Sequence, residues 1–173
     1  MPRRLLRDGE FVDDEWRYPS ETGGERVGAL ILTIEQWHGE RDSWLARRAA
    51  PDAPRLGVLL PASHRVEVIG EDLAHLALVA AEFSGPADGR GYSQARLLRE
   101  RYRFGGELRA TGYVRRDQLF FLARCGFNSF ELPDAELEHA RGSLAVFSAR
   151  YQPSNDLGLP VSLPGRAAES AAP

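Results

Sequence analysis

The chain predicts an α/β fold: a mostly parallel sheet with alternating helices, open or half (β/α)-barrel-like, introduced by a short N-terminal β-hairpin. Three observations carry this. Apolar runs at residues 29–32, 56–60 and 76–83 are too short for helices and too uniformly apolar for a sheet face open to water. Stretches with helical spacing and capping signals separate the runs. The length of 173 residues suits one domain with a sizeable core, and the single cysteine, Cys125, permits no disulfide within the chain.

Taken in order, Asp8-Gly9 between two short apolar runs is a two-residue hairpin signal over residues 5–12. Trp16 and Tyr18 follow, then a polar linker, so that residues 1–24 form a hairpin and linker and residues 25–150 the α/β domain. Ala29–Leu32 reads as a buried strand, and Thr33 with Gln36 forms a capping box that starts a helix carrying Ile34, Trp37, Trp44 and Leu45 on its inner side. Residues 56–60 are a second strand, 66–69 a short third, 71–75 a helical turn and 76–83 a strand covered on both faces. A glycine-bearing loop follows, and Ser93 is the expected N-cap of a helix reaching Arg103, with Ala95, Leu98 and Tyr102 facing the core. Gly105-Gly106 breaks it and residues 108–114 form the next strand. Asp117 is expected to cap a short apolar helix ending at Gly126, with Phe127 folding back on Leu122 as in a Schellman ending. Residues 129–132 are a last short strand, and Asp134 is expected to cap a helix with Leu137, Ala140, Leu144 and Phe147 on one face. Residues 151–173, rich in Pro, Ser and Ala, read as a tail.

Composition removes several function classes. The formal charge of −3 does not fit a general nucleic-acid or membrane binder. No run approaches the roughly 18 apolar residues of a membrane span, and only Leu5-Leu6 follows the basic start, so a cytoplasmic protein is expected. All basic side chains are arginine, which excludes a Walker A loop and a Schiff-base lysine. The four histidines (38, 64, 75 and 139) lack metal spacing, and no metal site is expected. Cys125 falls at the C-terminal end of its helix, where the dipole raises a thiol pKa, and reads as structural.

The informative stretch is Gly89 to Arg124. It holds nine arginines against three acids, whereas the rest of the chain holds thirteen against twenty-two. In a parallel α/β fold, loops at the C-terminal ends of strands are the default site, and two such loops are residues 84–93 and 113–117. An oxyanion could sit between Arg90, the amides of Gly91 to Ser93, Arg96, and Arg115 or Arg116, since the guanidinium fork suits sulfate, phosphate or carboxylate. Tyr92 and Asp117 are the candidates for proton transfer beside it. The bland alternative is that Arg96, Arg99 and Arg103 form a solvated helix face partly paired with Glu100, and that Asp117 is only a cap. A dinucleotide reading of Gly89-Arg90-Gly91 fails because Gln94 stands at the third glycine position and Pro86-Ala87-Asp88 separates the motif from its strand.

The run GRGYSQARLLR at residues 89–99, GELRATG at 106–112, Asp117-Gln118-Leu119 and Arg124-Cys125-Gly126-Phe127 are similar to a bacterial family, domain of unknown function family 934. Asp8-Gly9 followed by Asp14-Glu15-Trp16 also resembles that family's N-terminus. One departure is Asn128, where aspartate is expected. The resemblance implies a probable oxidoreductase label and a place in assimilatory sulfate and sulfite reduction, through the company the family's genes keep beside sulfite reductase. It brings no established catalytic residues. The chain cannot itself ligate the cysteine-bound cluster of a sulfite reductase.

Three functions follow as expectations. The first is an accessory protein of sulfite reduction that binds an oxyanion or docks on sulfite reductase. The second is a small enzyme acting on a phosphorylated or sulfated metabolite, and the third a flavin-dependent electron carrier. A half-barrel with open edges also suggests a homodimer.

Overall fold

Asp8 and Gly9 sit at φ 51° and 83°. Positive φ at both central residues makes a turn whose twist matches the flanking strands. It joins β1 (Arg4–Arg7) to β2 (Glu10–Asp13), with Arg7 opposite Glu10 and Leu5 opposite Val12. The expected hairpin is therefore present. In this computed structural model, residues 3–18, 21, 27–51, 53–144 and 155 are described.

The remaining strands are β3 (Trp16–Arg17), β4 (Ala29–Leu32), β5 (Arg55–Leu60), β6 (Leu78–Phe83), β7 (Glu107–Gly112) and β8 (Ser129–Phe130). One eight-stranded sheet runs in the order β2-β1-β8-β7-β6-β5-β4-β3. From β3 to β8 every pairing is parallel and between consecutive strands, while the hairpin joins antiparallel through β1 and β8. The chain is thus a mostly parallel α/β half-barrel with an N-terminal hairpin in the same sheet.

Period-two alternation divides the strand residues between two cores. Leu30, Leu32, Val58, Leu60, Val79, Ala81, Phe83, Leu108, Ala110 and Phe130 pack with the helices in the larger core. Trp16, Ala29, Ile31, Leu78 and Ala80 form a second cluster, with Tyr18 and Leu59 packed against it.

The edge strands β2 and β3 are consecutive in the chain, with only Asp14 and Glu15 between them. Three residue steps span at most about 11 Å, so the sheet must curl until its edges approach. The hairpin continues the sheet beyond β8, and the edge strands β2 and β3 are four and two residues long.

Helix α1 (Ile34–Arg47) begins with the expected capping box: Gln36 N–H donates to Thr33 Oγ1 at 3.2 Å, and Thr33 N–H to Gln36 Oε1 at 2.9 Å. Ile34, Trp37 and Trp44 are buried. The expected strand at 66–69 is instead part of a 3₁₀ segment, Val66–His75. Its buried apolar residues Val66, Ile69 and Leu73 recur at three and four, not two. Helix α2 spans Arg90–Arg96 and continues as a wider π turn over Leu97–Arg101, where Tyr102 N–H reaches Leu97 O at 3.1 Å. Ser93 is not its N-cap. Gly89 flanks the start, and Asp88 accepts the Arg90 N–H at 3.2 Å, so the helix begins a turn earlier than the serine suggests.

Asp117 is likewise not a cap. It lies inside a 3₁₀ turn, Arg116–Gln118, where Gln118 Oε1 accepts the Arg115 N–H at 2.9 Å, and α3 (Leu119–Arg124) follows. The ending of α3 is as expected: Gly126 at φ 106°, Gly126 N–H on Ala123 O, and Phe127 N–H on Leu122 O. Helix α4 (Asp134–Ser143) is preceded by Pro133, whose carbonyl accepts from Glu136 and Leu137, so Asp134 is its first helical residue, not its cap. Leu137 and Ala140 are buried; Phe147 and the tail from Tyr151, apart from Asn155, lie outside the described residues. No described helix is long and apolar enough to cross a membrane.

Candidate anion-binding site

The arginines of the basic stretch do not converge on one site. Arg90, Arg96, Arg99, Arg109 and Arg115 each take a partner set by the element that carries them. Arg90, the first residue of α2, closes its fork on Asp88 in the loop after β6, Nε to Oδ1 at 2.9 Å and Nη2 to Oδ2 at 3.0 Å. Ser84 Oγ donates to the same carboxylate at 2.5 Å. Arg90 and Ser84 together hold the Asp88 carboxyl well below the usual carboxylate range. Arg96 pairs with Glu100 at 3.0 Å, one turn on along the exposed helix face.

Arg99 turns inward. Its guanidinium donates to the carbonyls of Gly126 (3.0 Å), Phe104 (2.5 Å) and Gly106 (2.9 Å), satisfying chain ends that no helix or strand bond reaches. Burial lowers its pKa, with Asp8 opposing. Arg99 is thus a structural staple.

Gly91 is buried because its bare Cα faces the Phe83 ring, and an added Cβ would lie 2.5 Å from Phe83 Cζ. Tyr92 packs edge-on against the same ring at 5.5 Å. Burial raises its hydroxyl pKa, with Cys125 and Asp117 adding to the rise, which holds the proton more firmly. Ser93 is exposed within the helix. Gln94, at the third-glycine position, crosses to the β5–3₁₀ loop and donates to Pro61 O at 3.1 Å and His64 O at 2.8 Å.

The residues that do come together lie past the end of β7. Gly112, at φ 80°, turns the chain where a Cβ would meet Phe83 O at 2.5 Å. Tyr113 N–H bonds to that same oxygen at 2.7 Å, and buried Val114 anchors the loop. Arg115 then lies over the Tyr113 ring, 5.2 Å from its centroid, and donates through Nη1 to Glu136 Oε1 of α4. The Arg116 N–H donates to Glu136 Oε2 at 2.9 Å. That main-chain N–H, then Arg115, lower the Glu136 pKa, whereas bonds to Tyr113 and Glu136 raise that of Arg115.

These residues line a cavity of about 420 Å³ with Pro86, Asp117 and Gln118. Of the predicted site residues, Arg115, Arg116 and Asp117 share it. Arg90, Gly91, Tyr92, Ser93 and Arg96 do not line it. Among the described residues the Arg116 guanidinium makes no hydrogen bond or ion pair. Glu136 was missed in the sequence because nothing local links it to a residue twenty positions earlier.

Sequence reasoning also missed a chain of alternating charges through the barrel. Glu131 pairs with Arg3 (3.0 Å), Arg3 with Asp14 (3.0 Å) and Asp14 with Arg109 (2.9 Å). Arg109 pairs with Glu107 (2.9 Å), Glu107 with Arg7 (3.5 Å), Arg7 with Glu15 (3.4 Å) and Glu15 with Arg55 (2.7 Å). Arg109 is 0% exposed and the Asp14 side chain 1%. Burial would lower the Arg109 pKa, yet Asp14 and Glu107 outweigh it and hold it raised. Thr111 Oγ1 donates to Glu131 at 2.8 Å and Trp16 Nε1 to Glu107 at 3.3 Å. Four charged residues of the N-terminal segment, Arg3, Arg7, Asp14 and Glu15, are thereby tied to four of the α/β body. One member of the basic stretch is therefore an interior strut.

Cys125 is half-buried, and burial pushes its thiol up. Asn155 donates from its main chain to Arg124 O at 3.1 Å and from its side chain to Glu100 at 3.2 Å. No group of three His, Cys, Asp or Glu side chains among the described residues is placed to hold a metal.

Fold and site define an α/β half-barrel with an arginine corner at the C-terminal end of its parallel strands. A family model, described as a bacterial protein of unknown function (DUF934), matches residues 57–162. That is more than half of the chain, and the protein belongs to this family. The match runs from within β5 through α4, including both arginines of the corner, Glu136, Arg109, Glu107 and Glu131. No curated protein matches the chain.

Proposed function

We propose that this protein is an accessory factor of assimilatory sulfate and sulfite reduction that holds a small oxyanion at the Arg115–Arg116 corner or presents that corner to sulfite reductase. The observation that carries the anion reading is Arg116, which lines an open cavity where parallel sheets build their sites and whose guanidinium makes no hydrogen bond or ion pair among the described residues. The sulfur assignment comes from the family resemblance. Two guanidinium groups beside a main-chain N–H suit a tetrahedral dianion, which accepts several charge-assisted hydrogen bonds at once.

Thermal unfolding with sulfite, sulfate, phosphate, adenylyl sulfates and flavins tests this. A ligand at about 100 times its Kd adds about 2.7 kcal/mol. The expected result is a shift with sulfite or sulfate that disappears in Arg116→Ala. No shift with any oxyanion rejects the anion reading, and unimpaired growth on sulfate after gene deletion rejects the pathway. A second reading, a small enzyme on a phosphorylated or sulfated metabolite, draws on Asp117 lining the same cavity. Turnover of such a metabolite that Asp117→Asn abolishes would favour it.

A further inference from the structure

We infer that Glu136 is a resident carboxylate competitor in the Arg115–Arg116 corner, so that the site takes a doubly charged oxyanion by displacing this side chain from its two donors. The inference rests on the anion reading above and adds its regulation.

Glu136 is held as an incoming anion would be. One oxygen takes the Arg115 guanidinium and the other the Arg116 main-chain N–H at 2.9 Å. Both interactions favour the ionised carboxylate, so the competitor is present at neutral pH. It is a single negative charge on a helix fixed by Leu137 and Ala140, and it leaves the second guanidinium, Arg116, without a partner among the described residues. A dianion such as sulfate or hydrogen phosphate can engage Arg115, the Arg116 amide and the Arg116 guanidinium together. It therefore offers the corner more charge-assisted bonds than Glu136 does. A monoanion of carboxylate shape gains little, because it only replaces like with like. The cavity beside the pair gives the ligand room, and the Glu136 carboxylate, 18% exposed where it is paired, can swing out into it when displaced.

The loop before α2 repeats the pattern. Arg90 is closed by Asp88, a carboxylate two residues away with Ser84 bracing it. At Arg90 the carboxylate satisfies both fork nitrogens, so no cation is left over. Of the two loops, the Arg115–Arg116 corner is the one that keeps a spare guanidinium among the described residues, and exchange is expected there.

Sodium sulfate titrated by calorimetry into the full chain, with sodium acetate and sodium chloride as controls, tests the inference. Glu136→Gln should bind sulfate about tenfold tighter than the native chain, the worth of one charge-assisted interaction. Acetate should not bind the native chain detectably. Arg116→Ala in the Glu136→Gln background should lose the gain. Hydrogen exchange gives a readout that needs no variant: sulfate should speed exchange at the first turn of α4 in the native protein. Equal sulfate affinity in the native chain and a folded Glu136→Gln, or unchanged exchange at α4 on saturation, overturns the inference. Sulfate binding to neither protein overturns the anion reading with it. Tighter binding in Glu136→Gln without any growth defect on gene deletion would leave the competitor standing and remove only the sulfur pathway.

Discussion

The barrel interior and the strand-end corner both pair arginine with carboxylate, yet the two are built for opposite ends. Inside, Arg109 and Asp14 are shut off from water and every charge has a partner of opposite sign on at least one side. At the corner, Arg115 is half-exposed, Arg116 has a guanidinium to spare and a cavity lies alongside. Buried pairs are costly to break because the remaining charge stays desolvated. Exposed pairs are cheap to exchange because water and salt take over. The interior is therefore a lock and the corner a place where an outside anion can compete.

The sharpest way to break this comparison is to remove one charge from the interior. Asp14→Ala leaves Arg109 with Glu107 alone and should cost about 3–5 kcal/mol, read as a lowered midpoint in urea unfolding. A loss no larger than that of an exposed pair would mean the charge chain is not the lock. Next in size is Gly112→Ala, at φ 80° with its Cβ 2.5 Å from the Phe83 carbonyl. Backbone strain of this kind costs about 1–3 kcal/mol. It should also misplace the loop that carries Arg115 and Arg116, so weaker sulfate binding should accompany the drop in midpoint.

Acid unfolding sharpens the contrast further. Asp72 is held below its usual value: burial would raise it, but bonds from Arg41 and Trp37 prevail. Glu136 and Asp88 are also depressed, by their donors at the two loops. A depressed carboxylate contributes stability that is present above its unfolded pKa of about 4 and lost as pH falls through the lower folded value. The urea midpoint should therefore hold from pH 7 to about 5 and fall below about pH 4. A midpoint that stays flat to pH 3 would contradict the pairing. The smallest effect is that of Glu136→Gln on stability at pH 7. Its midpoint should stay close to the native one, while Asp14→Asn shifts it clearly in the same titration.

Much of the architecture was legible because it is local. The Asp8-Gly9 turn, the Thr33–Gln36 box and the Gly126 ending each need only a few neighbouring residues. The misread elements were those where two local signals competed. Ser93 and Asp117 are good caps by type, but Asp88 and Gln118 took the donors at those two starts. Val66 and Ile69 are good strand formers that a three-residue spacing placed in a 3₁₀ segment. The candidate site was legible only in part: Arg115, Arg116 and Asp117 share one cavity, whereas Arg90 and Arg96 are closed by their own acids.

By itself the sequence determined the alternation of strands and helices, the hairpin, the Thr33 cap and the Gly126 helix ending, and the excess of arginine between Gly89 and Arg124. Only the tertiary structure decided which arginines are struts and which face a ligand. On β7, Glu107, Arg109 and Thr111 alternate with Leu108 and Ala110, a pattern that reads equally as a face in water. The curl imposed by Asp14–Glu15 turned that face inward and brought it a carboxylate from 95 residues away. Charge pairing acts through space, and Asp14 for Arg109 and Glu136 for Arg115 come from elements far away in the chain.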